Sequence, residues 1–336
     1  MKLDNEIKLD FSDVLIRPKR SELSSRSEVD LIRKITFKYS DYVWEGLPII
    51  CSNMDTVSTI DMYQKISDFK MLMCFHKSID CHHIIQNNCD PNYFMLSTGI
   101  SDDDLISLKL NINKLYQHGI DVKFICIDVA NGYMFKLIEF CKQVREMYPN
   151  KIIVAGNVVT RELVEELIIN GKVDIVKVGI GSGAVCTTRL QTGVGMPQFS
   201  SVMECADAAH GLGGHIISDG GICYPGDISK AFGAGGDFVM MGSMFAGHYE
   251  CAGNLVSENG KTYKLFYGMS SDTAMNKFKG GVAKYRSSEG KTVEVPYKGS
   301  VEDTIQNILG GMRSTCTYIG ANKIKDISKC ATFVRV

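Results

Sequence analysis

The 336-residue chain carries a formal net charge of only −1. Nucleic-acid binding and docking on an anionic membrane surface both need a basic footprint, so neither is expected. No apolar run approaches the ~18 residues that a membrane-spanning helix requires. The start of the chain, Met1 to Asp10, mixes charges and lacks the apolar core of a secretory signal. A cytoplasmic, reducing setting is therefore expected, with the twelve cysteines free rather than paired. Several of them (Cys51, Cys74, Cys126) sit inside apolar runs, where a thiol behaves as a small hydrophobe. Two nucleotide and metal signatures are missing as well. No Gly-x-Gly-x-x-Gly follows a strand to open a helix, so a Rossmann dinucleotide site is not supported. Cys81-His82-His83 with Cys89 has no partner pair at zinc spacing, and adjacent ligands on one element point apart.

What is present is a recurring unit. Eight short apolar runs read as strands: Pro48–Cys51, Met71–Phe75, Tyr93–Ser97, Lys123–Asp128, Lys151–Ala155, Val173–Val178, His215–Ser218 and Asp237–Met241. They are continuously apolar rather than alternating, which means burial on both faces, as in a parallel sheet covered by helices. Asp102–Gln117, Gly132–Met147, Thr160–Asn170 and Phe199–Leu212 place apolar residues at helical spacing between them. Eight β-then-α units predict an α/β chain folded as one (β/α)8 barrel over residues 1–336, with a doubly wound open sheet as the alternative. Two stretches fall outside the repeat. The first forty-odd residues form an N-terminal extension that caps the barrel or reaches a neighbouring subunit. Residues from about 246 to 300 form an insertion after the eighth strand, read as a structureless flap over the site.

The strand ends carry the chemistry. Asn53, Asp55, His76, Lys77, Asp128, Asn131, Gly156, Asn157, Asp219 and Gly242 all follow strands, where a barrel builds its active face. The most specific feature is Lys177-Val-Gly-Ile-Gly-Ser-Gly-Ala-Val-Cys-Thr-Thr-Arg189. Three alternating glycines waste a strand, but they suit a loop that brings backbone to a ligand with a thiol at its apex. Cys186 is thus a candidate nucleophile, the alternative being an inert structural thiol. A thiolate adds readily to an electron-poor carbon such as C2 of a purine, and Thr188 with Glu289 can hand on protons. Gly181, Gly183 and Cys186, with Arg189 close by, offer backbone carbonyls suited to a hard monovalent cation such as K+. Asp219-Gly220-Gly221 and Gly242-Ser243 end the seventh and eighth strands, where barrels often hold phosphate. Asp219 is an anion and suits a ribose hydroxyl pair, so these loops together predict a nucleoside monophosphate.

These motifs closely resemble the GMP reductases of the IMP dehydrogenase/GMP reductase family. The likeness runs through Asp13–Arg20, Asn53–Val57, Asp128–Gly132, Ala155–Thr160, Val178–Arg189, Thr192–Gln198 and Ser218–Gly221. Tyr267–Ser271 and Glu289–Pro296 extend it into the flap, so that it spans essentially the whole chain. The resemblance implies a TIM barrel, a homotetramer, and NADPH-dependent reductive deamination of GMP to IMP and ammonia. By that carry-over Cys186 forms a thioimidate at C2, and Thr188 and Glu289 relay protons to the leaving amine. GMP would meet Asp219, Gly220, Gly221, Gly242 and Ser243, with Gly268, Met269, Ser270, Arg286 and Gly290 from the flap. NADPH would meet Lys77, Asp128, Val129, Ala130, Gly181, Met269, Tyr285, Arg286 and Ser314-Thr315-Cys316-Thr317. Ser25 and Arg26 would reach a neighbouring subunit's cofactor, Arg26 as partner of a 2′-phosphate.

The chain departs from the family in places. Ser182 and Ala184 stand where the family reads proline and serine, which is expected to loosen the loop. Ser24 replaces a basic residue, and Ser78-Ile79 replace His-Tyr after Lys77. IMP dehydrogenase is the rival reading. It is disfavoured by the short flap, by Tyr285-Arg286 in reversed order, and by the lack of room for a CBS pair after Lys77. A nucleotide-binding regulator without turnover is the alternative of another class, and intact Cys186, Thr188 and Glu289 argue against it.

Overall fold

Eight parallel strands close on themselves in the computed structural model, which describes residues 3–336; the first two residues of the extension lie outside it. The barrel strands are β1 Ile49–Cys51, β2 Leu72–Phe75, β3 Phe94–Thr98, β4 Phe124–Asp128, β5 Ile152–Val158, β6 Ile175–Val178, β7 His215–Asp219 and β8 Phe238–Met241. Closure is the pairing of β8 with β1, Val239 opposite Ile49 and Met241 opposite Cys51. A helix follows each strand: α1 Ile60–Asp68, α2 Cys81–Gln86, α3 Asp102–Gln117, α4 Phe135–Met147, α5 Arg161–Ile169, α6 Gln198–Gly211, α7 Pro225–Gly233 and α8 Val301–Ile319. This is the (β/α)8 TIM barrel expected from the eight apolar runs.

The continuous apolar strands are explained by two cores. Alternate residues (Ile50, Leu72, Cys74, Met95, Phe124, Cys126, Val154, Ile217, Phe238) fill the barrel, and their neighbours (Ile49, Cys51, Met73, Ile125, Ile153, Val176) face the helices. Both faces are dry, so no polar alternation survives in the sequence. Helix starts are set locally, as where Ser101 Oγ accepts the Asp104 N–H and Asp104 accepts from the Ser101 N–H.

The N-terminal extension caps the barrel at its lower end. An antiparallel hairpin, Arg33–Thr36 with Val43–Gly46, pushes Ile35, Phe37 and Trp44 against the barrel interior. Trp44 is fully buried, lies beside Phe238 and donates its indole N–H to the Asn92 carbonyl at 2.9 Å. Two buried carboxylates lock this end. Asp174, just before β6, accepts from the N–H groups of Tyr39 and Ile153 and from Arg145. Asp237, just before β8, accepts from the Ile216 N–H, His210 and Arg33, with His215 at 3.3 Å. Farther out, Val14–Ile16 pairs antiparallel with Phe333–Arg335 and ties the two ends of the described chain together. All twelve cysteines are free. Among the described residues, no helix is long and apolar enough to cross a membrane.

The insertion differs from expectation, because it is not structureless. After β8 it forms an antiparallel sheet of β9 Val256–Glu258, β10 Lys261–Tyr267 and β11 Thr292–Pro296, with a helix at Asp272–Lys279. β11 alternates exposed and half-buried residues, and in β10 Lys264, Phe266 and Tyr267 are buried while Leu265 is not. That period-two pattern carries charge on its wet face, and so reads as a polar loop when only apolar runs are sought.

Candidate active site

The glycine-rich loop leaves β6 and lifts Cys186 to the upper mouth of the barrel, where the flap lies across it. Lys291 N–H donates to the Val185 carbonyl and Thr187 N–H to the Glu289 carbonyl, both at 2.9 Å. Cys186 and Gly290 face each other in an isolated antiparallel bridge. Contact this close needs glycine: a Cβ on Gly290 would lie 2.9 Å from Ser271 N. Backbone pairing thus brings the neighbouring Cys186 and Thr188 together with Glu289 from a distant part of the sequence. The Cys186 thiol donates to Thr188 Oγ1 at 3.2 Å, and the Thr188 hydroxyl donates to Glu289 Oε2 at 2.8 Å. A proton on sulfur therefore has a hydrogen-bonded route to a carboxylate 101 residues further along the chain.

These groups open onto a cavity of about 300 Å³, which also takes in Asp128, Val129, Ala130, Gly181, Gly183, Asp219, Gly268, Met269 and Ser270. Twelve of the residues singled out in the sequence meet there. Asn53 and Asn157, which the sequence placed at the active face without a specific role, line it too, as does Lys177, to which the sequence gave no site role. The signal for Lys177 was a lone cation inside the apolar run Val173–Val178. Its ammonium, on a residue only 2 % exposed, lies 2.7 Å from Asp128 Oδ1 and 3.2 Å from Asp219 Oδ2. Asn53 donates to the other oxygen of Asp128, and Asn157 donates to Asp219 Oδ2, both at 2.9 Å. Burial works to raise the Asp128 pKa, but the charge and hydrogen bond of Lys177, with Asn53, outweigh it and hold the carboxyl below its ordinary value. Burial likewise works against the Lys177 charge, and Asp128 followed by Asp219 overcomes it.

The loops after β7 and β8 lie beside this cavity. Ser243 Oγ donates to the Ile222 carbonyl at 3.3 Å and joins the two loops. The N–H groups of Gly221, Gly242 and Ser243 find no acceptor among the described residues, a donor set that suits an anionic group. The glycine loop is not slack where it lacks proline, because Ser182 Oγ donates to the Asp219 carbonyl at 3.0 Å and pins the loop to the end of β7. Of the carbonyls suited to K+, that of Gly183 already accepts the Cys186 N–H at 3.0 Å and keeps one lone pair. Arg189 is engaged elsewhere. Its guanidinium pairs with Asp10 at 2.8 Å, and its carbonyl accepts the Gly193 N–H.

A second cavity, of about 380 Å³, adjoins the first and shares Asn53, Asp128 and Met269 with it. It runs out past Lys77, which pairs with Asp104 at 2.9 Å, to Lys279 on the flap helix. The remaining expected residues lie apart. Tyr285 is 92 % exposed, and Arg286 is also exposed near Lys279. The turn Arg26–Glu28, capped by Ser25, packs against α8, which carries Ser314–Thr317. Ser25, Arg26 and Ser314–Thr317 line neither cavity. Cys81 and Cys89 are buried, which pushes their thiols up to about 11 and about 12, and no metal-binding cluster occurs among the described residues.

Comparison with known proteins gives a consistent picture. Residues 94–336 match the profile of the IMP dehydrogenase / GMP reductase domain. The chain is 57% identical to GMP reductase 1 of Rattus norvegicus over 339 residues, covering 100% of this chain and 97% of the relative. It is 58% identical to GMP reductase 1 of Homo sapiens over 340 residues, with the same coverage. Identity to the GMP reductase of Caenorhabditis elegans is 55% over 340 residues, covering 100% of this chain and 94% of the relative.

Proposed function

Because the chain belongs to the IMP dehydrogenase/GMP reductase family, we propose that it is an oxidoreductase converting GMP to IMP and ammonia with NADPH. The observation that carries this reading is the hydrogen-bonded chain from Cys186 through Thr188 to Glu289, set over a cavity lined by the carboxylates of Asp128 and Asp219. Among the described residues, Asp219 Oδ1 accepts from no group and is available to a ribose diol. The unpaired N–H groups at Gly221, Gly242 and Ser243 suit the 5′-phosphate. The purine C2 then reaches the thiol at the loop apex, with Gly268, Met269, Ser270 and Gly290 above it.

In this reading the thiol gives its proton to Thr188 and through it to Glu289, and sulfur adds to C2. The same relay returns a proton to the exocyclic amine, the C2–N bond breaks, and ammonia leaves a thioimidate. Bound NADPH supplies one hydride to C2. The C2–S bond then breaks, the thiolate leaves, and IMP carries hydrogen where the amine stood. Two joined cavities with Lys77 and Lys279 along the outer one suit a nicotinamide dinucleotide with its phosphates. Asp128, Val129, Ala130 and Met269 would hold the nicotinamide end. Gly181, Gly183 and Cys186 would hold K+ and keep the loop raised. The patch of Ser25 and Arg26 with Ser314–Thr317 lines neither cavity of its own chain. A neighbouring subunit's cofactor is its natural occupant, and this supports reading the assembly as a homotetramer of the cytoplasm.

The test is NADPH oxidation by purified protein with GMP and K+ present, run beside NADH formation from IMP and NAD+. GMP-dependent oxidation yielding IMP and ammonia is the expected result. NADH formation with XMP as product would make the chain an IMP dehydrogenase. Nucleotide binding without turnover in either assay would make it a regulator.

A further inference from the structure

Lys177 is the one buried cation of the barrel mouth, and its position is costly unless both neighbouring carboxylates are ionised. Its stem rises from β6 between Asp128 at the end of β4 and Asp219 at the end of β7, with the thiols of Cys74 and Cys126 nearby. Space for it is built in on the adjacent strand, where Gly156 sits opposite Lys177 and a Cβ there would lie 2.6 Å from Lys177 Cβ. Asp219 lines only the cavity around Cys186, whereas Asp128 lines that cavity and the outer one. One nitrogen within 3.2 Å of both therefore spans the boundary between the two.

We propose that Lys177 is a positioning residue that couples the substrate and cofactor halves of the site by sharing one ammonium between Asp219 and Asp128. This rests on the proposed function, which gives Asp219 to the ribose of GMP and Asp128 to the nicotinamide. The site holds two carboxylates for one cation, so each is oriented by a partner it must share. Asn53 and Asn157 add directed donors but no charge. Without the ammonium the carboxylates repel each other across the mouth of the cavity, and the remedies are protonation of one or rotation of both. Either remedy damages the two ligand sites together, although Lys177 itself lines only the cavity around Cys186.

The test compares wild type, Lys177→Arg, Lys177→Met, Asp128→Asn and the double variant Lys177→Met/Asp128→Asn. The readouts are GMP binding by calorimetry and the KM for NADPH. Lys177→Met is expected to weaken both by about tenfold or more, while Lys177→Arg, which keeps the charge, stays within about threefold of wild type. Asp128→Asn removes one of the two repelling charges. In the double variant GMP affinity should recover to within about threefold of Asp128→Asn alone, a non-additivity that loss of packing does not produce. Unchanged GMP and NADPH constants in folded Lys177→Met, or strictly additive losses in the double variant, would overturn the role of Lys177. Should Lys177→Met not fold, Lys177→Gln, which keeps one directed donor without charge, takes its place: the same paired loss supports the role, and unchanged constants or additive losses overturn it. Wild-type protein that binds no GMP overturns the proposed function instead, and that result is visible before any variant is made.

Discussion

The barrel carries a pair of carboxylates at each end, buried below and half-buried above, and the pairs are held in opposite ways. At the lower end Asp174 and Asp237 each accept from backbone N–H groups as well as from charged side chains, so the carboxylates are part of the strand framework. At the upper end, among the described residues, Asp128 and Asp219 are held only by side chains, Lys177, Asn53 and Asn157, and Asp219 keeps one oxygen without a donor. Residue type is alike at the two ends, while burial and saturation differ. A carboxylate whose acceptors are filled by backbone fixes register, whereas one held by side chains and left an open oxygen can still receive a ligand.

The sharpest way to separate the ends is to disable the upper one without touching the fold. Cys186→Ala is expected to lower turnover by about four orders of magnitude or more while leaving GMP affinity and melting temperature close to wild type. Wild-type-like steady-state rates in that variant would rule out covalent chemistry at Cys186. Glu289→Gln keeps the hydrogen bond to Thr188 but cannot hold the proton, and should slow deamination by about a hundredfold or more. Hydride exchange between IMP and NADP+ should fall much less. Equal loss in both half-reactions would mean that Glu289 does more than serve ammonia.

The lower end should answer the reverse way. Asp174→Asn leaves Arg145 without its anionic partner in a fully buried place, and should cost about 3 kcal/mol of stability, seen as a melting temperature several degrees lower. kcat/KM of the protein that remains folded should stay within about twofold of wild type. A large kinetic loss with unchanged melting would erase the contrast between the ends.

The smallest effect is a pH dependence of stability. Burial works to lower the pKa of His215, but the Asp237 carboxylate 3.3 Å away outweighs this and raises it above the ordinary value. The stabilisation is fully present below the ordinary histidine pKa and is lost as pH rises through the raised one. Asp237 is itself held far below the carboxylate range, against burial, by His210 and His215, so its contribution is lost only in strong acid. The melting temperature should therefore fall by about 2 °C between about pH 6 and about pH 8.5. A flat profile over that range, or a slope that survives Asp237→Asn, counts against the assignment.

The fold was legible in the sequence because strands dry on both faces leave uninterrupted apolar runs, and all eight lie where such runs stand. The flap sheet was not, since Lys264 interrupts its buried face, Lys261 and Glu294 lie on its wet face, and short, half-wet strands resemble loops. The Cys186 loop announced itself through its glycines. The pairing of Thr188 with Glu289 was expected from their chemistry and supported by the resemblance, but nothing in local spacing joins residues 101 positions apart. Lys177 was hidden by its company, since a lysine within an apolar strand reads as an interruption until two carboxylates are seen to meet it. Ser182 was expected to slacken the loop and instead ties it, because one hydroxyl supplies a contact that backbone stiffness alone does not.

The plug that closes the lower end also makes that end optically distinct. Trp44 is the chain's single tryptophan, and it sits fully shielded against Phe238, with the barrel interior between it and Cys186. Its emission should be blue-shifted in the native protein and blind to nucleotide at the opposite mouth, yet should shift red as soon as the hairpin leaves its seat. A change of emission on adding GMP would mean that the two ends of the barrel communicate. Its absence gives an intrinsic gauge of unfolding that can be read in the middle of an assay without disturbing it.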